Sequence, residues 1–318
     1  VYGYGFVPAP LEDPVFKTVE DRISDAQRIH AEYLPSRDAL VTMATALTEV
    51  GLIPLSETRR EVEASRDMNV IQSIHNHAFW GTSIGRGIGI MHKEGLLGPD
   101  QIHVHCKATV EDDFKYLADA GSYIVSTPDT EMQMGMGHPV FLEAARHGIV
   151  STVGCDIISL HGGDLIGQLR LGLQDARVRA NTPFNEKAEM PLRLSTSSMD
   201  ALAWGTINGA QALGLENRIG SLEPGKQADI LIISGDEPNL WPMNPEPGTV
   251  IFHTHPYDIE TVLIAGKRVK RDHKLAGVDY HKAIATAQAS RDWILETVMQ
   301  VKGELLPPEN SISLTTLE

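Results

Sequence analysis

The sequence predicts an α/β protein: a TIM-like (β/α)8 barrel, with most of its eight units visible, and a small β-sandwich appended to it. Three observations carry this. Short apolar, β-rich runs alternate with helical patterns about six times between residues 1 and 185, the pattern of a parallel sheet covered by helices. Six such units exceed what a mononucleotide-binding half needs and suit most of an eight-unit barrel. Beyond residue 215 the character changes to short strands joined by turns rich in Gly and Pro. The boundaries read as a barrel over 1–215, a sandwich part over 216–275, and a C-terminal helix and tail over 276–318.

Taken in order, "VYGYGF" (1–6) is a strand that leads to a helix around Val15–Tyr33. "LVTMATAL" (40–47) leads to "LSETRREVEASRDM" (55–68), with Ser56 as the expected N-cap. "NVIQSIH" (69–75) leads through a Gly-rich loop to a helix near Ile90–Glu94. "QIHVHC" (101–106) precedes "TVEDDFKYLADAG", where Gly121 suits a helix stop. "YIVST" (123–127) precedes "HPVFLEAARHG", and "IVSTVGCD" (149–156) precedes "GDLIGQLRLGLQDARVRA". A helix follows over 198–215, then strands within "GSLEPGKQADILIIS" (220–234), "TVIFHT" (249–254) and "IETVLIAGKRVKRDHKL" (259–275). The basic run "KRVKRDHK" reads as a solvated hairpin, and 279–301 as a terminal helix.

Composition narrows the function. The chain has 318 residues, 42% hydrophobic and 22% charged, with a formal net charge of −15. That field repels nucleic acid and anionic membrane, and both are set aside as partners. No apolar run approaches the ~20 residues of a membrane-spanning helix. Only two cysteines occur, Cys106 and Cys155, which favours a reducing, cytoplasmic setting over a disulfide scaffold.

Three strands end in groups able to hold a metal or move a proton: His75 (with His77), His105 (with His103) and Asp156. In a parallel barrel the C-terminal rim carries the chemistry. On a strand, His75 and His77 share a face. Imidazole nitrogen and carboxylate oxygen suit Zn²⁺ or Fe²⁺, and one divalent ion, Zn²⁺ with Fe²⁺ as the alternative, is the expected cofactor. A carboxylate beside a metal-bound water can take its proton and later deliver it to a leaving group.

"GSLEPGKQADILIIS", preceded by "TINGAQALGLENRI", closely resembles the C-terminal signature of the amidohydrolase superfamily, in its cytosine deaminase and atrazine chlorohydrolase-like branch. "LLGPDQIHVHC" is similar to that branch's sixth barrel strand, "HGIVSTVGCD" to its eighth, and "TPDTEMQMGMGHPVFLEAARHG" to the segment between. The resemblance implies that His75 is the fifth-strand metal ligand. It makes His105 the sixth-strand histidine that contacts substrate or metal-bound water, and Asp156 the eighth-strand ligand and proton shuttle. The activity implied is hydrolysis of a C–N bond in a small, cyclic organic molecule by a metal-activated water. A homo-oligomer is the family habit. His77, Phe79, Trp80, the methionines around Gly135 (Met134 and Met136) and His138 are expected to line the substrate pocket, and His103 to be structural.

Two departures matter. The family's first-strand His-x-His pair has no counterpart, since "HNH", "HVH" and "HTH" fall too late. The numbering therefore begins near the third strand, and a preceding segment, in the same protein or a separate chain, is expected to complete the barrel. Deaminases of the branch also place a Glu three residues after the fifth-strand His, where this chain has Ala78, and "HCKAT" lacks a second His. This favours amide, lactam or other C–N hydrolysis over ordinary nucleobase deamination. Two readings compete. "GTSIG" (81–85) fits a nucleophile elbow on Ser83, with Asp156 and His253 following in order, but "GRGIGI" after it is a poor helix start. A metal-free, barrel-based binding protein is the other alternative, kept open by the absent histidine pair and Ala78.

Overall fold

The computed structural model describes residues 2–5, 18–76 and 86–302. Its larger part is a six-stranded parallel sheet in sequential order: β1 (Tyr2–Gly5), β2 (Met43–Leu47), β3 (Ile71–Asn76), β4 (Gln101–His105), β5 (Tyr123–Ser126) and β6 (Ser151–Val153). Helices return the chain between strands: α1 (Val19–Tyr33), α2 (Leu55–Asp67), α3 (Gly87–Lys93), α4 (Glu111–Ala120), then α5 (Pro128–Gln133) with α6 (Phe141–Arg146). Sequential order with one crossover per strand is the winding of a (β/α) barrel wall.

The layer between sheet and helices is apolar. Val19, Ile23, Leu47, Val62, Val70 and Ile74 make one buried cluster, and Ile88, Phe114, Leu117, Ile124 and Ile149 make a second. Gly121 ends α4 at φ 68°, a left-handed position that glycine takes without penalty. The expected cap on α2 differs. Pro54 is the N-cap, with no side-chain cap hydrogen bond, and Ser56 lies inside the first turn.

After β6 come α7 (Leu165–Asn185), α8 (Ser198–Trp204) and α9 (Ile207–Ala212). Asp164 caps α7, its side chain accepting from the Ile166 amide at 3.0 Å. The single helix expected over 198–215 is thus two. The break falls where the Trp204 carbonyl accepts from Thr152 Oγ1 at 2.7 Å, which ties the turn to β6. Phe141 and Trp204 stack face to face, centroids 3.9 Å apart, in a third apolar cluster with Leu169, Leu173 and Ile251.

The segment "TVIFHT", expected as a strand, is instead α10 (Pro247–His253). Its β-branched residues suggested a strand, but Pro247 at the first turn favours a helix and Ile251 is fully buried. Tertiary burial overrides local propensity here. The remaining strands, β7 (Ile230–Ile233), β8 (Ile259–Ile264), β9 (Lys267–Arg271) and β10 (Lys274–Leu275), form one antiparallel sheet in the order β10-β9-β8-β7. Among the described residues this is one layer rather than the two of a sandwich. The "KRVKRDHK" hairpin is as expected: Asp272 and His273 both have positive φ (49° and 63°), as a type I′ turn requires. The terminal helix is α11 (Tyr280–Lys302).

Candidate active site

His75, His105 and Asp156 lie at the same end of the parallel sheet. The register between β3 and β4 pairs His75 with Val104 and Asn76 with His105, so both strands finish level. The His75 and His105 rings face each other at 5.4 Å between centroids, tilted by 32°. His75 keeps exposed surface, but partial desolvation by the groups around it lowers its pKa, the neighbouring His105 lowers it further, and the Asp156 carboxylate opposes both. The neutral imidazole so favoured is the form that binds a metal. Asp156 is therefore within electrostatic reach of His75.

Strand alternation alone would not build this arrangement. Ile71, Ser73 and Ile102 line the concave face of the sheet, so His75 belongs to that face by parity while His105 falls on the other. The backbone at His105 and Cys106 turns left-handed, with φ of 67° and 53°. That turn brings the His105 ring back towards His75. Asp156, just beyond β6, is left-handed too, at φ 58°. At His105 and Cys106 such positions store strain of about 1–3 kcal/mol each, which clusters at working sites; an aspartate takes the same region at little cost.

His105 is 3% exposed, and its Nδ1 lies 3.1 Å from Glu131 Oε1 and 3.2 Å from Thr127 Oγ1. Glu131, on α5, is fully buried. Its Oε1 also accepts from the Thr127 amide at 3.0 Å, and its Oε2 from Lys107 Nζ at 2.5 Å. Lys107 donates as well to the His138 carbonyl, while the His138 ring is engaged with Asp175 on α7 at 2.6 Å. Burial pulls the Lys107 pKa down and Glu131 pulls it back up. Next to the third group, His161 holds the Asp156 loop. Its Nε2 donates to the Cys155 carbonyl at 2.6 Å and lies 3.2 Å from the Thr130 hydroxyl on α5.

His103 is fully buried on the helix-facing side, where Asn76 Nδ2 donates to its Nδ1 at 2.7 Å. Met132 is exposed, and Met134 and Met136 are half-buried around the end of α5. His77, Phe79, Trp80 and Ser83 lie outside the described residues, and with them both the proposed pocket wall and the nucleophile elbow. A cavity of about 480 Å³ sits on the concave face between the sheet and α8–α9. Its lining runs from Ala44, Ile71 and Ile102 near the strand starts to Val125 and Val153 near the strand ends.

Glu131, Lys107 and His161 were not singled out from sequence. Glu131 stands inside "EMQMGMGH", a stretch read for its methionines and His138, and Lys107 inside "HCKAT". Two imidazoles and a carboxylate suit a borderline divalent cation in kind. They do not gather closely enough, however: among the described residues no group of three His, Cys, Asp or Glu could hold an ion.

Known proteins place the chain. It is 30% identical over 252 residues to the 5-methylthioadenosine/S-adenosylhomocysteine deaminase of Symbiobacterium thermophilum, covering 76% of this chain and 52% of that one. It is 26% identical over 272 residues to the 5'-deoxyadenosine deaminase of Methanobrevibacter smithii, covering 84% and 57%. The chain thus spans just over half the length of these curated relatives. The fold matches a zinc-bound adenosine deaminase from Xanthomonas campestris with a TM-score of 0.81, at 20% identity over 92% of this chain and 66% of that one. It also matches the zinc complex of atrazine chlorohydrolase from Arthrobacter aurescens, with a TM-score of 0.76, at 18% identity over 88% and 62%. The model of the amidohydrolase family matches residues 13–269, and the chain, a six-stranded stretch of barrel wall with its second sheet, belongs to that family.

Proposed function

We propose that this protein is a metal-dependent hydrolase acting on a C–N bond of a small cyclic molecule. The observation that supports the reading best is the His75–His105 pair, 5.4 Å apart at the rim, with Asp156 in electrostatic reach of His75. His75 and Asp156 would hold the metal, together with donors that the described residues do not supply. A bound Zn²⁺ or Fe²⁺ would supply hydroxide near neutral pH. Asp156 would take the proton and pass it to the departing nitrogen, and His105 would orient the attacking water or polarise the electrophile. His77, Phe79, Trp80, Met134, Met136 and His138 are the proposed substrate contacts. Two relatives are named for purine-nucleoside deamination, so an amino group on a heteroaromatic ring heads the substrate classes. Ala78 keeps amide and lactam bonds beside it. The free thiols of Cys106 and Cys155 support a cytoplasmic setting, and family habit a homo-oligomer.

The test is ammonia release and ring opening by the purified, metal-loaded protein across 5'-substituted adenosines, aminotriazines, lactams and cyclic amides. Turnover that a chelator stops and Zn²⁺ or Fe²⁺ restores is the expected result. Binding of the same compounds without turnover, at every metal tried, would overturn it. That outcome favours the second reading, a metal-free binding protein, which draws on the incomplete donor set among the described residues.

A further inference from the structure

We propose that Glu131 is a positioning residue that fixes the tautomer of His105, so that this imidazole meets the rim as a hydrogen-bond acceptor through Nε2. The inference rests on the reading of the rim as an active site, and it decides between the two roles given to His105.

Glu131 Oε1 lies 3.1 Å from His105 Nδ1 and already accepts the Thr127 amide. The Lys107 ammonium stands 2.5 Å from Oε2 and donates in parallel to the His138 carbonyl. Both Glu131 oxygens thus take N–H donors, so Oε1 meets His105 as an acceptor. If Nδ1 were bare, its lone pair would face an oxygen lone pair inside a site where Glu131 is fully buried and His105 is 3% exposed. The proton therefore sits on Nδ1, shared between Glu131 Oε1 and Thr127 Oγ1. In the neutral ring Nε2 is then bare. A bare Nε2 accepts a hydrogen bond from water or takes a proton, and it cannot donate to a developing oxyanion until it has been protonated. His105 thus orients the attacking water for Asp156; it does not open the reaction as an electrophile. The same outer-shell logic, a carboxylate holding one ring nitrogen so the other is free to work, is general for functional histidines.

The charge-neutral isostere makes a sharp prediction. In Glu131→Gln, Lys107 still demands an acceptor, so the amide oxygen turns to it and the amide NH₂ faces His105 Nδ1. The ring must then carry its proton on Nε2. Nitrogen-15 spectra of selectively histidine-labelled protein read this directly, with His105 assigned by its loss in His105→Gln. Wild type is expected to show protonated Nδ1 and bare Nε2, and Glu131→Gln the reverse. Turnover in Glu131→Gln should fall by about 10²–10⁴-fold with KM changed little. Thr127→Val is expected to keep the wild-type tautomer, because Glu131 remains. A wild-type ring protonated on Nε2, or a tautomer that switches in Thr127→Val, would overturn the proposal. If Glu131→Gln does not fold, the wild-type and Thr127→Val spectra decide. The spectra are recorded on metal-free protein and do not depend on turnover. A protein with the expected tautomer but no activity would sink the hydrolase reading alone, and the reverse pattern this inference alone.

Discussion

Replacing Asp156 with asparagine removes ionisation at one carboxyl and leaves the shape of the side chain almost unchanged. The backbone there has φ 58°, a region that asparagine and aspartate visit with little penalty while other side chains pay about 1–2 kcal/mol. Asp156 is also exposed, so little packing is at stake and a change within about 0.5 kcal/mol is expected for Asp156→Asn. Asp156→Ala should cost about 1–2 kcal/mol through the backbone alone. Activity orders them differently. If Asp156 carries the proton from water to leaving nitrogen, both variants lose about 10²–10⁴-fold in turnover. The assay pairs denaturant unfolding with turnover on the same preparations. Turnover of Asp156→Asn near wild type would remove Asp156 from the chemistry. Equal stability of the alanine and asparagine variants would refute the argument from the left-handed backbone.

Three further outcomes follow from the packing. Burial pushes the Cys106 thiol up to about 12, whereas Cys155 is only half-buried. A thiol reagent near pH 8 should therefore label Cys155 in the native protein and reach Cys106 only on unfolding; equal native rates would contradict this. Gly172 on α7 sits where an added Cβ would lie 2.5 Å from Phe141 Cε2, on a ring stacked against Trp204. Overpacking of about 1–3 kcal/mol should outweigh the gain in helix propensity of about 1 kcal/mol, so Gly172→Ala should lower the unfolding midpoint, and a raised midpoint would refute the packing argument. Glu61 is fully buried, and that burial raises its pKa against the opposing hydrogen bonds from Thr48. The folded state therefore keeps this proton to higher pH than the unfolded chain. Its contribution is fully present below the ordinary value of 4.5 and is lost as pH rises through the raised value. Glu61→Gln should flatten that decline in urea titrations across the window, and an unchanged slope would count against it.

Much of the barrel was legible because each β-run carries its burial in its composition. "IVSTVGCD" and "QIHVHC" read as strands, and they hold β6 and β4. Alternation of side chains could not foresee that His105 reaches the concave side through a left-handed backbone, since no glycine marks the turn. "TVIFHT" misled for the opposite reason: its branched residues favour extended chain, and only the burial of Ile251 makes it helical. Glu131 was illegible because its distant partners, His105 and Lys107, come from another strand end, and only Thr127 is near it in sequence. No local pattern announces a contact across 26 residues.

The central claim is that His75 and Asp156 hold one cation at the rim, with His105 beside it. Elemental analysis of the purified full-length protein, wild type beside His75→Ala and Asp156→Ala, tests it most directly. About one Zn or Fe per wild-type subunit is expected, with marked depletion in both variants. A wild type without metal, or variants that keep a full complement, would contradict it.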